Sequence, residues 1–397
     1  PSVAVSGEAF DDTGAWHFNL TAPKYTSGSV KIIAALRPDG ITKDSDDATD
    51  VKTLSAENPY TQRIAWSCPK DTTDTACGAS LENLDSSAIA SGSCALTGNG
   101  FTCTVQLSMT TKASSTYGLS ITSYGSSGVK ADVAFSVPEI SFLEPKEFSD
   151  IGAWTFEVSN NLYKREWSGE TATDASTVSV KGGSSGELKW QCTRSVSKND
   201  GTLEVGAPTC SSPSSEETLV YGTNKKLRQG ECSYNETGKK ISCTIRQNGF
   251  PDQGTDYAIT AALTGGVEEG TTIAYTAPEI SILNHFDDAG SAKFQVKNAV
   301  FLLDGDNKYM EISTSYGESS VGSARCDYIE NGSNQCTVNK GASTPYLSGC
   351  SNDSGTITCE IQLDLTLATT QEYKVKITAA GMEREDDQVG RDLVYLR

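Results

Sequence analysis

The chain has 397 residues, 37 % of them apolar and 21 % charged, with a formal net charge of −19. That length exceeds one ordinary core and points to about two to four domains, while the apolar fraction excludes a disordered chain. The acidic balance argues against nucleic acid or anionic lipid as a partner, and no apolar run approaches the roughly 20 residues that span a bilayer.

The first stretch runs from "SVAVS" at Ser2 into "FDDTGAWHFNL" at Phe10. In "AWHFNL", Trp16, Phe18 and Leu20 alternate with Ala15, His17 and Asn19, the period of a half-buried strand. "VKIIAAL", "QRIAWSC", "FTCTVQL", "YGLSIT" and "DVAFSV" follow. Together they predict about seven strands before Pro138 and no sustained helical stripe.

The pattern then restarts. "FSDIGAWTFEV" begins at Phe148 and "FDDAGSAKFQV" at Phe286, so the three copies are evenly spaced from Phe10 onward. "PEISFL" at Pro138 and "PEISIL" at Pro278 precede these copies, and "DVAFSV", "TIAYTA" and "DLVYLR" close the three units. Cys103, Cys243 and Cys359 precede Tyr117, Tyr257 and Tyr373 by one unvarying interval. This internal repeat predicts three all-β domains, 1–137, 138–277 and 278–397, built as tandem antiparallel sandwiches. Pro1 opens no recognisable signal peptide, so the expected form is a mature or excised segment: a slice of a longer array, or a three-domain protein.

Tyr117, Tyr257 and Tyr373 each open a late strand and resemble the tyrosine corner of immunoglobulin-like domains. The resemblance implies a Greek-key sandwich of that general kind. The cysteines depart from the antibody pattern, because Trp66 and Trp190 sit two residues before Cys68 and Cys192 on one strand.

Twelve cysteines fall four to a unit: Cys68, Cys77, Cys94 and Cys103; Cys192, Cys210, Cys232 and Cys243; Cys326, Cys336, Cys350 and Cys359. In every unit the last two have an odd separation, and the second unit's pair is longer by two. Odd separations place residues opposite one another in a hairpin, and Gly98, Gly238 and Gly355 stand near the midpoints as hairpin turns require. Opposed positions lie within disulfide reach. The expected bridges are Cys94–Cys103, Cys232–Cys243 and Cys350–Cys359, which leaves Cys68–Cys77, Cys192–Cys210 and Cys326–Cys336. The competing connectivity is nested, first with fourth and second with third. No C-x₂-C spacing supports zinc.

Such a framework belongs to an oxidising compartment, so the expected location is extracellular or cell-surface. Sequons at Asn19, Asn235, Asn331 and Asn352 agree with a secreted glycoprotein, with Asn235 and Asn352 expected on exposed hairpin turns.

Catalytic chemistry finds little support. His17 and His285 occupy unrelated positions in the repeat, and no hydrolase, metalloprotease or phosphate-loop pattern occurs. Acids recur at Asp11, Asp12, Asp150, Asp287 and Asp288, at Glu139 and Glu279, and in "DGDN" from Asp304. Calcium could use such oxygens, but turn formation explains them without a metal. The reading is therefore non-enzymatic, with no metal and no cofactor. Trp167, in the polar stretch "YKREWSGE", has no counterpart in the other units and is the candidate binding residue.

Short Val-Pro-Glu and Ala-Pro-Glu linkers predict a semi-rigid rod. The function expected first is a structural segment of an extracellular filament, coat or appendage, with other copies of itself or other extracellular proteins as partners. The alternative is an adhesin or receptor ectodomain holding a protein or glycan ligand on idiosyncratic loops, such as those between Asp39 and Pro59 and between Cys192 and Cys232.

Overall fold

The computed structural model describes residues 1–24, 29–36, 62–69, 77–82, 89–98, 100–107, 116–123, 126, 128–199, 202–211, 218–222, 225–248, 254–304, 307–329, 332–342, 344–364, 373–379 and 382–386. Every regular element among them is a strand, and no helix there is long and apolar enough to cross a membrane. Each repeat unit contributes two sheets. In the first unit, one sheet has the order Ser2–Ser6, Ala15–Thr21, Gly100–Leu107, Ile89–Thr97. The other runs Gly78–Glu82, Gln62–Pro69, Ser29–Leu36, Thr116–Ser123, Val129–Ala134. The same core order recurs in the second and third units, where further strands such as Thr218–Gly222 and Ser333–Gln335 extend the sheets, and all named ladders are antiparallel. Two strands of the first unit, Gly78–Glu82 and Ile89–Thr97, are absent from the seven expected.

Alternation delivers one face of each sheet to a shared core. In the first unit Phe18 meets Trp66 across the sheets at 5.9 Å, and in the second Phe156 meets Trp190 at 6.1 Å. The third unit has Ala292 and Ala324 at the corresponding tryptophan positions and fills its core with Phe301, Met310 and Val321. In the first two units the start also changes sheets. After pairing with Ala15–Thr21, the first segment crosses over, and Phe10 N–H donates to Ala134 O at 2.8 Å. Phe148 N–H donates to Ala274 O in the same way at 2.9 Å.

That crossing explains the three tyrosines. Phe10, Phe148 and Phe286 meet Tyr117, Tyr257 and Tyr373 edge-on at 5.7, 5.5 and 6.1 Å. Tyr257 is fully buried, and its hydroxyl faces the Gln247 side chain and not a backbone group. A tyrosine corner needs that hydroxyl on the backbone, so the likeness to one does not extend to Tyr257. The ring contact with phenylalanine holds it in place, and burial raises its pKa to about 12.

The disulfides are sequential. Cys94–Cys103, Cys232–Cys243 and Cys350–Cys359 join directly opposed residues, with Cα atoms 4.0, 4.1 and 4.1 Å apart. Cys68–Cys77, Cys192–Cys210 and Cys326–Cys336 complete the set, and no cysteine is free. In the third unit Ser354 and Gly355 both have positive φ, 48° and 85°, as a two-residue primed turn demands. The second unit's hairpin turns over residues 236–239 instead, with Asn235 Oδ1 accepting from the N–H groups of Thr237 and Gly238 at 2.9 and 3.3 Å.

Two outcomes are expected. Peptide mapping of the unreduced protein recovers the six sequential bridges, and nested pairs would overturn the fold. The double variant Cys94→Ala, Cys103→Ala loses about 2–3 kcal/mol of stability in denaturant melts, the loop-closure value for so short a ring.

Candidate functional site

The residues that distinguish this chain chemically gather where one unit meets the next. After Ala153–Ser159 the backbone turns at Asn160, and after Ser291–Lys297 it turns at Asn298, both with φ 51°. Asparagine enters this left-handed region more readily than other non-glycine residues. The turn drives Leu162 into the first unit's core beside Phe10, Tyr117 and Phe135, where it is 4 % exposed. Val300 enters the second unit's core in the same way. The next residue then donates its backbone N–H backwards: Tyr163 to Asp12 O at 2.9 Å, and Phe301 to Asp150 O at 2.6 Å. Every participant is displaced by the same repeat interval between the two joints, so one joint is built twice. Pro138 and Pro278 are buried in the linkers, and Asn160 Nδ2 donates to Val137 O at 3.1 Å.

The first joint adds charge. Arg194 donates to both carboxylate oxygens of Asp12 at 2.6 Å, and its guanidinium lies 4.1 Å from the Tyr163 ring centroid. Behind it Asp174, whose side chain is completely buried, accepts from Arg194 at 2.9 Å and from Arg165 at 2.7 and 2.9 Å. Burial opposes ionisation of Asp174, but the hydrogen bonds from Arg165 and Arg194 outweigh it and hold the carboxyl below the usual carboxylate range. At the second joint the position of Arg194 is Tyr328, which meets Phe301 edge-on at 5.3 Å.

A cavity of about 410 Å³ opens at the first joint, lined by Phe135, Asn161, Tyr163, Arg194, Tyr234 and Lys239 among others. Asn161 is only 7 % exposed; its Oδ1 accepts from Ser176 Oγ at 2.8 Å, and its side chain also faces the Tyr163 hydroxyl. At the second joint Ala299 takes the place of Asn161, and its N–H donates to Gly355 O at 3.2 Å.

The expected site residues are scattered. Trp167 is 50 % exposed on the strand Lys164–Ser168, with the Arg165 guanidinium 5.9 Å from its ring centroid. Register places it in one cross-strand row with Ala172, Val196 and Val205, and Val205 is exposed too. Asn19 and Asn235 are exposed. Asn352, expected to be exposed, is instead fully buried, because its Nδ2 donates to Asp327 O at 2.9 Å and its Oδ1 accepts from Gly355 N–H at 3.2 Å. Asn331 lies outside the described residues, as do residues 37–61.

Asp11 and Asp287 each commit a carboxylate oxygen to the N–H groups of their own turns. His17 shares a 2.8 Å hydrogen bond with Thr104, while His285, Glu139 and Glu279 are exposed. The sulfurs of Cys68, Cys77 and Cys94 lie within 4.8 Å of one another, as do those of Cys192, Cys210 and Cys232. All are oxidised, so neither group offers the thiolate that a metal requires. Leu162, Asp174 and Arg194 carry no mark in the sequence taken strand by strand. Aligning "NNLY" with "NAVF" at the repeat spacing is the signal that would have flagged the first.

No protein-family model matches the chain, and no curated protein matches it. Among solved structures it is similar to extracellular cadherin domains 1–4 of protocadherin gamma B7 at 10 % identity, over 75 % of this chain and 90 % of that one, with a TM-score of 0.16. It is similar to the human desmocollin-1 ectodomain at 10 % identity, over 89 % and 91 % of the two chains, with a TM-score of 0.14. It is also similar to dimeric latent PorU from Porphyromonas gingivalis at 8 % identity, over 96 % and 33 %, with a TM-score of 0.17. TM-scores this low assign no family.

Asp174→Asn is expected to cost about 3–5 kcal/mol in denaturant melts, because the buried Arg165 loses its paired carboxylate and Arg194 is left with Asp12 alone. The native carboxyl has a depressed pKa, so its contribution is complete above the ordinary value of 3.8 and is lost as pH falls through the native one. The stability gap between wild type and variant should therefore be flat at neutral pH and close only in strong acid. After secretion from a glycosylating host, glycopeptide mapping should find sugar at Asn19 and Asn235 and none at Asn352 in the folded fraction.

Proposed function

We propose that this chain is a non-enzymatic structural segment of an extracellular filament, coat or appendage. In this reading three disulfide-bonded, immunoglobulin-like sandwich domains, 1–137, 138–277 and 278–397, stack as a stiff rod. The observation that carries it is the joint made twice: an apolar residue seated in the preceding core and a backbone N–H on the carbonyl of Asp12 or Asp150. A linker that buries its proline and directs its hydrogen bonds to its neighbour resists bending in a way that a Gly/Ser spacer does not. The oxidised cysteines and the exposed sequons at Asn19 and Asn235 support an extracellular setting.

A second reading, an adhesin or receptor ectodomain binding a protein or glycan, draws on two features. The cavity at the first joint is lined by Asn161 and Arg194, whose places at the second joint are taken by Ala299 and Tyr328, and the exposed Trp167 has no tryptophan counterpart in the other units. These are marks of a surface specialised in one unit rather than repeated in all.

Small-angle X-ray scattering separates rod from beads on a string. The wild type is expected to give one extended, narrow distribution of internal distances. Leu162→Ala and Val300→Ala, each worth about 2–5 kcal/mol of packing, should broaden it without loss of the circular-dichroism signature of strands. A wild type as broad as the variants would overturn the rod.

A further inference from the structure

The two joints share a backbone frame but not a filling. At the second joint Ala299 stands for Asn161, Phe301 for Tyr163, Tyr328 for Arg194, Asn352 for Tyr234 and Gly355 for Lys239. The replacements pack against one another. Ala299 N–H donates to Gly355 O at 3.2 Å, and Phe301 meets Tyr328 edge-on at 5.3 Å. Asn352 commits its amide to Asp327 O and Gly355 N–H. The first joint keeps the frame and leaves about 410 Å³ open, a volume within the range of small-ligand pockets.

The lining of that cavity is specific. Lys239 has φ 50°, where the third unit has Gly355 at 85°. Lysine carries a Cβ that disfavours this region, so a strained turn is kept with a cation on it. The other charges are matched. Arg194 is held by Asp12 and Asp174, and Asp11 commits a carboxylate oxygen to its own turn. Lys239 is exposed and makes no ion pair among the described residues. Phe135 and Leu162 give the cavity apolar walls, and the half-buried Tyr234 and the Asn161 amide add polar ones.

We propose that this cavity binds one ring of an acidic saccharide, with the sugar carboxylate on Lys239, its hydroxyls on Asn161 and the Tyr234 hydroxyl, and its C–H face against the Tyr234 ring. Such a ring brings one negative charge, several hydroxyls and a weakly apolar face, and each has its match in the lining. A nucleotide brings more negative charge than one lysine offsets, to a chain whose net charge is −19. A fatty acid would leave the amide and hydroxyl groups of the cavity unpaired. The proposal rests on the reading of the chain as an adhesin or receptor ectodomain and names its site and ligand class.

The test is titration of the full chain with methyl β-D-glucuronide, followed by saturation-transfer NMR, with methyl β-D-glucoside and acetate as controls. The glucuronide is expected to saturate with a Kd of about 1 mM, and each control to bind about tenfold more weakly, one lacking the carboxylate and the other the ring. Lys239→Gly copies the third unit and relieves the strained turn, so the fold is kept while glucuronide binding falls to the glucoside level. Tyr234→Phe keeps the ring and should weaken both sugars about threefold through the lost hydroxyl. Circular dichroism should be unchanged in both variants. Absence of saturation by the glucuronide, or a Lys239→Gly variant that binds it like wild type, would overturn the proposal. Acetate as tight as the glucuronide would also overturn it, by reducing the site to a bare anion contact. A glycan array probed with wild type and Lys239→Gly separates the site from the broader reading. Acidic glycans lost by the variant support both, whereas glycans held equally by the two proteins overturn this site and leave the adhesin reading standing.

Discussion

Each joint is organised around one buried backbone N–H, that of Tyr163 or Phe301. A donor removed from water without an acceptor costs more than an ordinary hydrogen bond returns, so the surrounding geometry has to supply one. The carbonyl of Asp12 or Asp150 does so, but only if the chain leaves its strand through a left-handed asparagine. That turn fixes where the next side chain goes, and Leu162 or Val300 then fills the preceding core. Direction, spacing and burial at the joint follow from satisfying a single group.

On that shared frame the two joints differ in chemistry. The first holds an Asp12–Arg194–Asp174–Arg165 chain of charges, while the second holds the aromatic pair of Phe301 and Tyr328. Charges that are mostly buried and bidentate resist screening by salt better than exposed pairs, yet they demand complete pairing. Aromatic contacts tolerate small shifts. The first joint therefore fixes its geometry more sharply and leaves a polar cavity beside it. The two ends of the second unit are not equivalent.

Much of the fold is legible in the sequence because strands have a period of two. "AWHFNL" shows its inward face directly, and odd cysteine separations predict opposed partners from the same rule. The strand "IASGSCALT" is not legible, because its small residues give no contrast between faces. Asn352 shares a face with buried Cys350, two residues earlier, and parity outweighs closeness to a turn. The tyrosines resemble a motif whose anchor is a hydroxyl, whereas in this chain phenylalanines from near the start of each unit hold the rings. Arg194 and Asp12 are far apart in sequence and leave no local mark. Only the stacking of two units brings them together.

The bridges have a mechanical meaning as well. Tension along a unit enters at its first strand and leaves at its last, and in the first unit Cys68–Cys77 and Cys94–Cys103 both lie between those ends. The crosslinks bear no load while the sheets hold. Once strands part, each crosslink withholds only its own short loop, roughly 30–60 Å of contour. A pulled unit would thus release most of its length and absorb work, while its knotted hairpins remain as folded seeds from which the sheets re-form when the tension is released.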